Sequence, residues 1–279
     1  MAQPTPSLYA LDPALPVLLR PDGAVQVGWS PRRAVLIRPP RGVSAVNLAN
    51  VLRAMHSPVP MSELRRQPSG LNDGDLRDLI RQLVTTGVAT RGARQRSARS
   101  ASIRVHGRGP LSDLLSDGLR CSGARVKQSN QPHAAVTSAD ADLVVLSDNL
   151  VADPRMLREL HSQRVAHLAV RVRDGTGLVG PLVVPGITSC LDCADLHRRD
   201  RDAAWPAVAA QLRDTVGVAD RATLLATAAL ALSQVNRVIG AVRGLDCEPP
   251  ASLSATLEFD VHAGSIVARQ WPKHPLCSC

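Results

Sequence analysis

Four cysteines in two distant places constrain this chain more than any other feature. Cys190 and Cys193 form a CxxC at the end of GPLVVPGITSCLDC, and Cys277 and Cys279 form a CxC at the end of WPKHPLCSC. Folding that brings the two pairs together makes a tetrahedral cage of soft ligands, the arrangement that structural zinc prefers. A closed four-sulfur site leaves no coordination position for water or substrate, so it staples rather than catalyses. The competing use of these thiols is disulfides. Residues 1–23 carry no early positive charge and no apolar run of signal-peptide length. A cytoplasmic location is therefore expected, and a reducing compartment favours metal over disulfides. Cys121 and Cys247 are isolated and read as small apolar residues.

Composition narrows the partners. A chain of 279 residues is long enough for two domains. Aromatic residues are scarce (Tyr9, Trp29, Trp205, Phe259 and Trp271), so Ala, Val, Leu and Ile must build the core. The aromatic platforms on which single-stranded nucleic acid stacks are missing. A formal charge of +9, carried mostly by Arg, signals either an anionic partner or a coding bias toward Arg and Ala. The most apolar long stretch, Ala222 to Ile239, holds Gln234, Asn236 and Arg237 and reads as a buried helix rather than a membrane span.

An Arg-rich stretch without apolar period, residues 91–102, reads as a linker. Before it, residues 1–90 show three short β-rich runs (16–20, 24–29 and 33–39), then three helices. Ser44 caps the first helix, Ser62 the short second one, and Asn72 or Asp73 the third, with Gly87 as its stop. This is a winged-helix-like pattern. After the linker, residues 103–279 alternate strands (102–107, 141–149, 165–174, 177–186) with helices and close on an antiparallel pair within 252–271. That alternation argues for an α/β fold whose sheet is parallel at its centre.

Few motifs carry chemistry. Gly107 and Gly109 lie at the first strand-to-helix turn of the α/β region, where glycine lets backbone approach a phosphate, but the third glycine of such a loop is absent and Pro110 follows. Asp148 closes a buried strand, where it could hold a metal–nucleotide complex or cap the following helix. The run His197-Arg198-Arg199-Asp200-Arg201-Asp202 reads equally as a solvated face or, with Trp205 as an anchor, as an interface. No Ser–His–Asp or paired-carboxylate constellation stands out. His56, His106, His133, His161, His167, His262 and His274 are scattered without ligand-like spacing.

Taken together, GPLVVPGITSCLDC, HRRDRDAAWP and the preceding DLVVLSDN resemble the ThiF-like, ubiquitin-activating-type superfamily. They are most similar to the leader-peptide docking proteins of azoline-forming (thiazole/oxazole) biosynthesis. The resemblance covers roughly residues 100–279. It implies a Rossmann-like activating-enzyme-type domain with a structural four-cysteine zinc site on Cys190, Cys193, Cys277 and Cys279, and it suggests a homodimer.

The first 90 residues are similar in element order to the peptide-recognition modules of those docking proteins. By that resemblance a precursor's leader region adds a strand to the third strand, Arg33 to Arg38, beside the third helix. The implied peptide-binding residues are Arg33, Val35, Ile37, Arg38, Leu76, Leu79, Ile80 and Leu83. The basic edge would suit an acidic peptide.

The activating enzymes' adenylation residues are eroded. What remains, Gly107, Gly109 and Asp148, reads as a vestigial nucleotide site. ATP is therefore not expected, and a partner YcaO-type cyclodehydratase would carry the chemistry. The resemblance thus implies a peptide-binding scaffold. The two other readings are an active ATP-dependent adenylating enzyme and a winged-helix DNA-binding regulator. Asp73, Asp75 and Asp78 on the third helix would repel phosphates, so nucleic acid is not an expected partner.

Overall fold

Apolar side chains collect into separate cores on either side of Ser97, in units Met1–Ser97 and Ala98–Cys279. The computed structural model describes residues 7–93, 99–131, 137, 139–245 and 247–279. Residues 94–98 of the expected linker and His133 lie outside them.

The first unit runs β1 (Ser7–Leu11), β2 (Val17–Leu19), β3 (Val25–Val27), β4 (Val35–Ile37), α1 (Ala45–Ala54), β5 (Val59–Pro60), α2 (Met61–Leu64), α3 (Asp73–Thr85) and β6 (Ala89–Ala93). Strands β2, β3 and β4 form an antiparallel meander with Gln26 opposite Leu18 and Leu36. Three strands and then three helices thus occur in the order the periodicity predicts.

The caps are local chemistry. The Ser44 hydroxyl accepts the Asn47 N–H at 3.1 Å, and the Asn72 side chain accepts the N–H groups of Gly74 and Asp75 at 2.8 and 2.9 Å. The short α2 is entered through Pro60, not capped by Ser62. A second antiparallel sheet, in the order β5-β1-β6, has no counterpart in the sequence reading. Its strand β6 includes Arg91, Gly92 and Ala93, the first three residues of the expected linker. Backbone pairing with β1, Leu8 opposite Gly92, makes the strand there; the side chains have little say.

Helix α1 buries Leu48, Val51 and Leu52, and α3 buries Leu76, Leu79, Ile80 and Leu83, each on one face at helical spacing. On the outer face of α3, Asp73 lies 3.2 Å from Arg65, and Asp78 lies 2.6 Å from Arg81.

The second unit runs β7 (Ser102–His106), α4 (Pro110–Cys121), β8 (Arg125–Ser129), β9 (Leu143–Ser147), α5 (Pro154–Ser162), β10 (His167–Arg173), β11 (Thr176–Val183), α6 (Leu191–Arg201), α7 (Trp205–Leu212), α8 (Arg221–Val242), β12 (Ala255–Asp260) and β13 (Ser265–Gln270). The sheet order is β13-β12-β11-β10-β9-β7-β8, parallel from β8 to β10 and antiparallel from β10 to β13.

Strand β9, LVVLS, is buried at every position because helices cover both faces. On one face α4 packs Leu111, Leu115 and Leu119 with the Leu224, Ala228, Ala231, Val235 and Ile239 stripe of α8. Three buried leucines contribute about 6 kcal/mol before ordering costs. Helix α8 is apolar and long enough to cross a membrane by composition, but that stripe faces the sheet. On the other face lie α5 and the start of α6, with Met156, Leu157, Leu160 and Leu191. The period of two along β10 sends Leu168, Val170 and Val172 to the first face, and Ala169 and Arg171 to the second.

Candidate metal centre and anion sites

The cage is built from the start of α6 and from residues 277–279. Cys190 is the N-cap of α6: its sulfur accepts the backbone N–H of Cys193 at 3.4 Å. The Cys193 sulfur accepts the N–H of His274 at 3.3 Å. The sulfurs of Cys190 and Cys193 are 3.7 Å apart, Cys190 and Cys277 3.5 Å, and Cys193 and Cys279 3.5 Å. Sulfurs at the corners of a tetrahedron with 2.3 Å metal–sulfur bonds stand about 3.8 Å apart, whereas a disulfide needs about 2 Å.

Spacing and chemistry both suit a four-coordinate soft metal. Burial drives the Cys190 thiol well up and the Cys279 thiol to about 11. Cys193, although burial raises it too, is drawn down to about 7 by the N–H of His274 and its bonds within the cage. Without a cation, four such sulfurs would not share this pocket as anions; a divalent metal removes that penalty. Bound there, zinc would staple α6 to residues 277–279 and supply no open coordination position.

Against the cage stands a cluster that the linear spacing hid. His197, Asp200 and His274 bring their ligand atoms within 4.8 Å of one another. His274 Nε2 sits 2.8 Å from the Asp200 carboxylate and His197 Nε2 lies 3.1 Å from the Pro272 carbonyl, so both histidines are engaged in holding residues 272–274 to α6.

Gly107, Gly109 and Asp148 do meet, and how they meet bears on ATP. Asp148, fully buried with φ 72°, does not cap the following helix, whose cap is Asp153. It caps α4 instead, the helix before its strand. Its Oδ1 accepts the N–H of Leu111 at 2.9 Å and its Oδ2 that of Ser112 at 3.1 Å, with the Ser112 hydroxyl as a third donor. Pro110 has no N–H, and the Asp113 N–H bonds to the Gly109 carbonyl at 3.3 Å. Every amide in the first turn is therefore used, and an internal carboxylate holds the position a phosphate would take at a helix N-terminus. A Cβ on Gly109 would fall 2.6 Å from Asp148 Oδ1, and one on Gly107 2.3 Å from the Ser147 carbonyl. Both glycines make room for protein, so a phosphate would find the first-turn amides of α4 already taken.

In the first unit β4 pairs only with β3 among the described residues, which leaves its other edge open. Leu36 points outward, 52% exposed, and Arg33 and Arg38 are exposed at either end. Val35 and Ile37 pack into the core. Leu76, Leu79, Ile80 and Leu83 of α3 are also core residues, between 0% and 6% exposed, so they support the module from inside.

The sequence reading missed Arg171. It is 8% exposed in the middle of the sheet and lines a cavity of about 350 Å³ together with Asp195, Arg198, Arg201, Asp202, Trp205 and Trp271. The charged run of α6 is thus neither wholly solvated nor wholly an interface: part of it is the wall of a cavity. The signal was an Arg inside HLAVRV, a strand whose neighbours are apolar.

No protein-family model matches the chain, and no curated protein matches it. Solved structures do. The fold is similar to a heterocyclase in complex with substrate and cofactor (16% identity, TM-score 0.67, 98% of this chain and 39% of that one). It is similar to the heterocyclase TruD (15% identity, TM-score 0.67, 98% and 42%). It is also similar to E. coli MccB with AMPCPP and MccA (14% identity, TM-score 0.60, 97% and 99%). The chain spans about two fifths of the heterocyclase chains and nearly the whole of MccB.

Proposed function

We propose that this protein binds the leader region of a ribosomally made precursor peptide along β4 and presents it to a separate YcaO-type cyclodehydratase. It acts as a non-catalytic scaffold whose second unit is stapled by zinc. The observation that carries the reading is the open β4 edge, with Leu36 outward and Arg33 and Arg38 flanking it. An added strand gains backbone bonds there, an outward apolar side chain selects a partner, and the two charges favour an acidic sequence. The likeness to a heterocyclase and to MccB, a protein solved with MccA, supports a place in peptide modification. The Asp148 cap argues against acyl-adenylate formation, because the amides that would hold phosphate are taken.

The test is anisotropy of labelled precursor peptides encoded beside the gene, titrated with full-length protein, alongside ATP–pyrophosphate exchange. Leader binding without exchange is the expected result. Exchange activity would restore the adenylating enzyme, and absence of leader binding would remove the docking role.

A further inference from the structure

The zinc cage and the β4 edge leave the cavity beside Arg171 without a use. We propose that this cavity binds a monocarboxylate with an apolar body, its carboxylate held by the Arg171 guanidinium. The proposal concerns the second unit alone and needs no peptide on β4.

Arg171 makes no hydrogen bond or ion pair with any described residue, although it is more than nine-tenths buried. Burial, then repulsion from Arg198, pulls it down to about 10; Asp195 offsets only part of this. A guanidinium carries five donors in a rigid fork, and here they face the cavity with no protein acceptor among the described residues. Two neighbouring arginines on the wall are closely paired. Arg198 bonds Asp195 at 2.7 Å and lies 4.7 Å from the Trp271 ring centre and 5.3 Å from that of Trp205. Arg269 bonds Glu258 at 2.8 Å. These pairs engage Asp195 and Glu258, Asp202 accepts the Ala204 N–H, and the Arg171 guanidinium is left open. A fork of that shape matches a carboxylate with two parallel bonds.

The rest of the wall selects the class. Leu157, Leu178, Leu191 and Leu212 give it an apolar side for the body of the ligand. Arg173, Arg198, Arg201 and Arg269 outnumber Asp195, Asp202 and Glu258 on the same wall and draw an anion in, while inorganic phosphate has no body to fill the leucine side. A volume of about 350 Å³ holds a ligand of amino-acid size. The carboxylate has two sources, a free acid or the C-terminal residue of a peptide.

Full-length protein is titrated with N-acetyl-leucine, with a short peptide ending in free leucine, with its C-terminal amide, and with inorganic phosphate. Tryptophan fluorescence is the readout, since Trp205 and Trp271 both border the cavity. The expected result is a saturable change with one or both acids and none with the amide or phosphate. A response to the peptide acid alone assigns a peptide terminus, and to N-acetyl-leucine alone a free acid. Arg171→Met should weaken binding by at least about tenfold. It should also raise the thermal midpoint, because an unpaired buried charge is replaced by an apolar chain. Arg171→Lys keeps the charge without the fork and should bind more weakly than the parent even if the Met variant fails to fold. Four results would overturn the proposal: binding of phosphate instead of the acids, equal binding of amide and acid, no response to either acid up to about 10 mM, or parent-like binding by both variants.

Discussion

Asp148 Oδ1 accepts a hydrogen bond from the backbone N–H of Leu111 at 2.9 Å, across 37 positions of the chain. The bond turns the end of β9 into the cap of α4. One side chain thereby closes an anion site and locks two elements of the sheet layer together.

Asp148→Ala should destabilise the second unit by about 2–4 kcal/mol, since it orphans two buried amides, leaves the Ser112 hydroxyl with Ser147 alone and puts Ala at a positive φ. Asp148→Asn keeps an acceptor and tolerates that backbone, so its loss should be smaller. Denaturant unfolding checks the order. Inorganic phosphate should stabilise the Ala variant more than the parent, because uncapping restores an anion site. Equal phosphate effects in both would refute the sealing argument.

Metal analysis should find one zinc per chain, and Cys190→Ser or Cys277→Ser should abolish it. Zinc at four thiolates is worth about 10 kcal/mol or more to the folded state. Strong chelators should therefore lower the unfolding midpoint by at least about 10 °C. A midpoint indifferent to chelation would mean that the thiols pack without metal.

Charge reversal at the β4 edge, Arg33→Glu with Arg38→Glu, should weaken leader binding about tenfold at low salt and less at high salt, because the contacts are exposed. Leu36→Asp should weaken it at any salt. Both variants change exposed positions and should leave the unfolding free energy within about 1 kcal/mol of the parent.

His167 sets an acid limit. It is fully buried, Nδ1 lies 3.0 Å from the Val165 carbonyl, and Nε2 has no partner among the described residues. Burial lowers it from 6.5 to about 4, outweighing the bond to Val165. Unfolded, the same ring takes its proton near 6.5, so between those values the unfolded chain binds more protons. Its contribution is complete above about pH 6.5 and is lost as pH falls toward 4, by up to about 3 kcal/mol. His167→Leu should flatten this limb in urea unfolding at pH 7.5 and pH 5. The difference from the parent separates His167 from the thiolates, which would release a bound metal over the same range. Parallel limbs would refute the assignment.

Much of this was legible in the linear chain. The run LVVLS, the helical spacing of Leu76, Leu79, Ile80 and Leu83, and the Ser44 and Asn72 caps are local signals, and local geometry obeys them. The cysteine pairs announced a four-sulfur cluster because two pairs of soft ligands suit one tetrahedral site. Long-range pairing decided the remainder. Strand β6 exists because β1 lies beside it. Asp148 caps a helix behind it, and Asp200 and His274 meet across 74 positions. Arg171 becomes a buried charge beside a cavity only when α6 and Trp205 close over the sheet. Sequence by itself determined the strands and helices that carry their own periodicity and caps, since those depend on neighbours within a few residues; β1, β5 and β6 needed pairing partners. The tertiary structure alone decided which polar groups find partners and which remain open, since those distances are set by how the layers pack.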